Sequence, residues 1–145
     1  MLRNLALLLA LIFAVLGLLH FYWAAGGSLG GGTAIPSLAG EKIFTPSAFA
    51  SATVGILLLL GTYAFVGRIG YLTFGFPGWL FRFGTAVISL LFLLRAIGEF
   101  RYVGFFKSIR DTEFAARDSY LFSPLCLFIA GCAFLISYYD PIDRH

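Results

Sequence analysis

Arg82 and Arg95 are separated by twelve uncharged residues. A helix places them about 20 Å apart along its axis, against a bilayer hydrocarbon thickness of about 30 Å. Arg82 lies one turn from the start of its apolar run and can extend its guanidinium to the headgroups. Arg95 is then left roughly 10 Å short of the opposite interface. An arginine at that depth faces a bundle interior and needs a partner. Glu99, four residues on, shares its helix face, and Tyr102 extends that face if the helix continues. The spacing predicts an Arg95–Glu99–Tyr102 stripe. Such a stripe can receive an anionic or carbonyl head, or tune a nearby proton-transfer group.

Three residues are candidates for acid or base chemistry: His20, Glu99 and Asp118. Each also has a plainer reading. His20 can bond a backbone carbonyl or Glu99 and lock helix packing. Asp118 precedes the fourth apolar run, where a carboxylate caps a helix, and its charge can also neutralise Arg95 or Arg101. The Arg95–Glu99 pair can be a structural clasp. Candidate ligand contacts are His20, Trp23, Arg95, Glu99, Tyr102, Tyr120 and Ser123.

The elements that position these groups follow from composition. Of 145 residues, 60% are apolar and 12% charged, and mean hydropathy is +0.93. Soluble domains are about half apolar and about a quarter charged. The balance excludes disorder, a nucleic-acid module and an ordinary cytosolic enzyme. The formal charge of +3 is weak evidence about partners, because membrane proteins use Lys and Arg to set topology.

Four runs are long enough to span: 5–25, 47–66, 77–97 with an extension to about 106, and 120–139. Phe21, Tyr22 and Trp23 end the first and Tyr138–Tyr139 the fourth, as in an interfacial belt. Asp140–Pro141 closes the last run. The reading is one all-α domain, an integral membrane four-helix bundle. Arg3 before an apolar run and Ala24–Ala25–Gly26 imitate a signal peptide, but the bulky His20–Trp23 and the length of the run indicate an uncleaved anchor.

Four crossings put both termini on one side and loops one and three on the other. Arg3, Arg68, Arg82 and Arg144 stand on the terminal side; Lys42, Arg101, Lys107, Arg110 and Arg117 stand opposite. The first helix commonly dominates orientation, which favours cytoplasmic termini. The connectivity also gathers His20, Trp23, Ser47, Ser51, Arg95, Glu99, Tyr102, Asp118, Ser119, Tyr120 and Ser123 at the face of loops one and three. That polar asymmetry is the sequence's best pointer to a site.

Other patterns fail. The glycine-rich stretch Gly26–Thr33 lacks the Lys-Ser/Thr ending of a phosphate loop and the strand before it. A haem pair would need His145, which lies on the other side. A zinc site lacks ligands. A Ser123–His20–Asp118 triad carries no local signature. Cys126 and Cys132, six apart in one helix, point to different faces and act as small apolar residues. Ser119, Ser123, Cys126, Ala130, Ala133 and Ser137 form a small-residue stripe suited to close helix packing, as do Gly17 and Ala24 on the first span and Ser51 and Gly55 on the second.

Three stretches resemble a family of small bacterial membrane proteins called domain of unknown function 3995: His20–Gly27, Leu94–Phe106, and Phe114–Asp118 followed by Tyr120–Cys126. The resemblance implies four membrane helices in a bacterial inner membrane. It brings no activity and no catalytic residue.

Three functions fit these observations. The first is an accessory subunit or partner of a larger membrane complex, or a homo-oligomer. The second is a binder of a lipid, quinone or other apolar small molecule near His20 and Arg95. The third is an intramembrane proton-transfer or isomerase enzyme. The balance leans away from an enzyme, no cofactor, metal or nucleic acid is expected, and the bilayer is the expected surrounding.

Overall fold

The computed structural model describes residues 1–29, 37–38, 41–42 and 45–139. Gly30–Thr33, Asp140–Pro141, Arg144 and His145, invoked above, lie outside the described residues. Four helices are long and apolar enough to cross a membrane: α1 (Leu2–Ala24), α2 (Ala48–Arg68), α3 (Gly78–Ile97) and α4 (Glu113–Tyr138). A two-residue hairpin in loop one pairs Ser37 with Lys42 and Leu38 with Glu41. The chain is a four-helix, multi-pass membrane protein.

Helix starts follow local chemistry. Ser47 Oγ accepts the Ala50 amide at 3.1 Å and caps α2. Thr112 Oγ1 accepts the Ala115 amide at 3.0 Å and caps α4. Asp118 is therefore not a cap: α4 begins at Glu113, so Asp118 falls inside the helix. Arg117 and Glu113, one turn apart, pair on its surface.

The helices pack as two antiparallel hairpins, α1 with α2 and α3 with α4, joined chiefly along α2 and α3. Gly17 and Gly55 let α1 and α2 approach; a methyl on Gly17 would lie 3.2 Å from the Gly55 carbonyl oxygen. The core joins Leu9 and Phe13 of α1, Leu58 and Phe65 of α2, and Ile129, Ala133 and Ile136 of α4. The Phe13 ring stands edge-on to Phe65, centroids 5.3 Å apart. Ser89 on α3 donates to the Ala130 carbonyl at 2.8 Å, which brings the small-residue face of α4 onto α3.

Contacts place the ends as connectivity requires. The Arg3 guanidinium lies 5.4 Å from the Tyr71 ring centre, and Arg68 Nη2 donates to the Tyr139 carbonyl at 3.0 Å. The chain's amino end, loop two and the end of α4 thus share one end of the bundle.

The third helix does not extend toward 106. It stops at Ile97 because Gly98 takes φ +89°, a conformation that L-residues rarely adopt. Loop three then folds back: Phe105 N–H reaches the Ala96 carbonyl at 2.9 Å, and Ser108 N–H the Phe100 carbonyl at 3.1 Å. A second glycine, Gly104 at φ +90°, crosses Gly98 backbone to backbone. A methyl on Gly98 would lie 1.8 Å from the Val103 carbonyl oxygen. The carbonyls left unpaired at a helix end are here partly satisfied by the returning loop.

Candidate functional site

The returned loop and the first turns of α4 enclose a carboxylate. Asp118 is fully buried, and both of its oxygens are engaged. Oδ1 accepts from Arg95 Nη2 at 2.8 Å. Oδ2 accepts from the Gly104 amide at 2.8 Å, from Lys107 Nζ at 3.0 Å and from Ser123 Oγ at 3.0 Å. Lys107 is buried too; its ammonium also donates to the Gly104 carbonyl at 3.0 Å and to Ser119 Oγ at 2.7 Å, so its three hydrogens have three acceptors.

A local irregularity of α4 makes this cage. Residues 118–122 form a π-helical turn, Asp118–Phe122. In a regular α-helix Asp118 and Ser123, five apart, would point about 140° away from each other. The wider turn brings them onto one side, where Ser123 donates to Asp118. The Gly98–Gly104 crossing brings the Gly104 amide and Lys107 down onto the same carboxylate.

Two cations share one carboxylate, leaving one positive charge in excess. The excess sits on Arg95. Its side chain is 35% exposed, against 1% for Lys107 and none for Asp118. Arg95 Nη1 is buried and, among the described residues, has no hydrogen-bond partner. Buried polar atoms are rarely left unpaired, and a guanidinium presents a second edge suited to an anionic or carbonyl group.

Of the two carboxylates expected to offset Arg95, Asp118 does so and Glu99 does not. Glu99 lies past the helix end and is exposed; its Oε1 accepts the Tyr102 amide instead. The Arg95–Glu99–Tyr102 stripe does not form, because a stripe at spacings of three and four needs a helix that Gly98 ends. Tyr102 carries the Arg101 guanidinium 5.1 Å from its ring centre.

His20 acts within α1. Its Nδ1 lies 2.8 Å from the Leu16 carbonyl, so that nitrogen carries the hydrogen. Its ring meets Trp23 edge-on at 4.9 Å, and Trp23 Nε1 donates to the Leu29 carbonyl at 2.7 Å. Tyr120 is 87% exposed. Of the candidates, Arg95, Asp118 and Ser123 are brought together, while His20, Trp23, Glu99, Tyr102 and Tyr120 have other contacts or none with this group. A Ser123–His20–Asp118 triad is not assembled.

Spacing in the sequence singles out neither Lys107 nor the Gly104 amide; Lys107 reads as one loop charge among several. The one signal for the fold-back is Gly98, three residues past Arg95, where a glycine commonly ends a helix. Among the described residues no three His, Cys, Asp or Glu side chains converge as a metal set.

Residues 13–133 match a family model described as a protein of unknown function (DUF3995). That span includes every residue of the Asp118 cage. No curated protein and no solved structure matches the chain.

Proposed function

The chain belongs to the DUF3995 family, whose description assigns no activity, and from that premise we propose that it binds an apolar small molecule carrying an anionic or carbonyl head, received by Arg95. The observation that carries this reading is the buried, unpartnered Nη1 of Arg95 beside a cage holding one excess positive charge. A head with two acceptor oxygens would satisfy that atom and offset the charge. Its apolar body would lie along the exposed Leu91 and Leu94 beside it on α3. We place the protein in the bacterial inner membrane with both termini cytoplasmic, on the flank of the first helix.

Binding fits better than proton transfer. Asp118 and Lys107 have their bonding capacity filled from within the chain, and His20 spends one nitrogen on Leu16. A role as accessory subunit would draw on small-residue faces for close helix approach. Those faces are largely used internally, Gly17 against Gly55 and α4 against Ser89. That role then rests on small size and the exposed apolar surface.

The test is native mass spectrometry of the protein extracted in mild detergent from its own membrane, beside Arg95→Lys. Lysine keeps a charge for Asp118 but has no fork to hold a second partner. We expect a retained anionic or carbonyl amphiphile in the parent and about tenfold less in the variant, the weight of a charge-assisted hydrogen bond. Equal retention in a folded Arg95→Lys protein, or a stoichiometric protein partner with no small molecule, overturns the reading.

A further inference from the structure

At the opposite end of α3, a groove of about 400 Å³ runs between the start of α3 and the end of α4. Trp79, Arg82, Phe83 and Ala86 line one wall, Ser137 and Tyr138 the other. The α3 residues fall at spacings of three and four, one helix face about 10 Å long. Polarity changes along it. Trp79 and Tyr138, the residue types of membrane interfaces, flank the outer part with Arg82; Phe83 and Ala86 continue it toward the bundle centre. Arg82 is exposed; its carbonyl accepts from Thr85 Oγ1 at 3.0 Å, and among the described residues no hydrogen bond or ion pair engages its guanidinium. The positive end of the α3 dipole adds to its charge, and among the described residues no side chain caps that end.

We propose that this groove holds a phospholipid with a net-negative headgroup, its phosphodiester on Arg82 and part of an acyl chain along Phe83 and Ala86. The order of polarity in the groove matches the order of polarity in the lipid. A lone arginine favours an anionic lipid over a zwitterionic one, because a zwitterionic headgroup brings its own cation to compete for the phosphate. This site is independent of Arg95, which stands about 20 Å away along the same helix.

The full chain contains two tryptophans, Trp23 and Trp79. In Trp23→Phe, fluorescence therefore reports Trp79 alone. The protein is placed in phosphatidylcholine vesicles with increasing fractions of lipid brominated on its acyl chains, either phosphatidylglycerol or phosphatidylcholine. We expect half-maximal quenching by brominated phosphatidylglycerol at about fivefold lower mole fraction, the weight of one arginine at an anionic surface. Arg82→Gln should abolish the preference, Arg82→Lys should keep part of it, and Arg95→Lys should leave it intact. Circular dichroism checks that each variant is folded, and where Arg82→Gln is not, the Arg82→Lys comparison decides. Equal quenching by both lipids, or a preference that survives Arg82→Gln, overturns the proposal. So does an absence of quenching by either, which would mean that the chain's own carboxyl-terminal segment or a second copy covers the groove.

Discussion

Arg82 and Arg95 stand on one helix, thirteen positions apart, in opposite settings. Arg95 meets a buried carboxylate at 2.8 Å inside a cage built by loop three and a π-helical turn. The Arg82 guanidinium has no hydrogen bond or ion pair among the described residues and lies at the rim of an apolar groove. Distance from the helix end does not separate them: Arg82 lies four residues after Gly78 and Arg95 two before Ile97. What covers each end does. Arg82 can reach water or headgroups unaided. Over Arg95 loop three folds back onto the end of the helix, and the protein supplies the anion. An unaided arginine leaves its end of the bundle open. A supplied anion must itself be buried, which costs several kcal/mol per ion before pairing, so that end is closed by many bonds. One end thus holds a buried ion cluster, and the other combines aromatic packing with side-chain bonds to backbone carbonyls such as Arg68 to Tyr139.

The largest break in this comparison is Asp118→Asn. It leaves two cations facing each other around a neutral amide. We expect a loss of about 3–5 kcal/mol, the cost of breaking a buried ion pair, seen as a lower midpoint of thermal unfolding in detergent. Lys107→Met should cost less, because it leaves a neutral Arg95–Asp118 pair with Gly104 and Ser123 still donating. Adding Lys107→Met to Asp118→Asn should recover part of the loss. If Asp118→Asn unfolds no earlier than the parent, the cage is not what closes that end.

Gly98→Ala comes next. The positive φ alone costs about 1–3 kcal/mol in a residue with a side chain, and the methyl would strike the Val103 carbonyl. We expect loop three to lift, exposing Lys107 to trypsin in the folded protein. Cleavage after Lys107 at the parent's rate would separate the cage from the glycine crossing. The smallest effect belongs to the open end. Arg82→Gln should shift stability by no more than about 0.5 kcal/mol, as for a surface substitution, whatever it does to lipid preference. A large loss there would show that Arg82 is structurally engaged and erase the contrast.

Orientation sharpens the comparison by saying which end meets the cytoplasm. Cysteines at Ser28, in loop one, and Leu72, in loop two, both exposed, are probed with an impermeant thiol reagent. Ile69 is unsuitable because it is buried. With cytoplasmic termini, position 28 labels in intact cells and position 72 only after lysis. The reverse pattern places the Arg95 end in the cytoplasm.

The amino-acid sequence by itself determined that this chain crosses a membrane four times, and that Arg95 requires a partner inside the bundle. Both follow from lengths: the apolar run a bilayer demands and the reach of an arginine. It also determined that loops one and three share an end, since that follows from connectivity. Which partner Arg95 takes was decided only in three dimensions. Glu99 satisfies the helical spacing, but one glycine with positive φ ends the helix before the spacing can act. Asp118 satisfies the local rule for a cap, but Thr112 starts the helix six residues earlier and a π-helical turn redirects the carboxylate inward. Lys107 enters the cage because two glycine backbones cross within reach of it. Spacing rules hold within one regular element. The cage is made where three elements stop being regular, and there only tertiary packing sets direction.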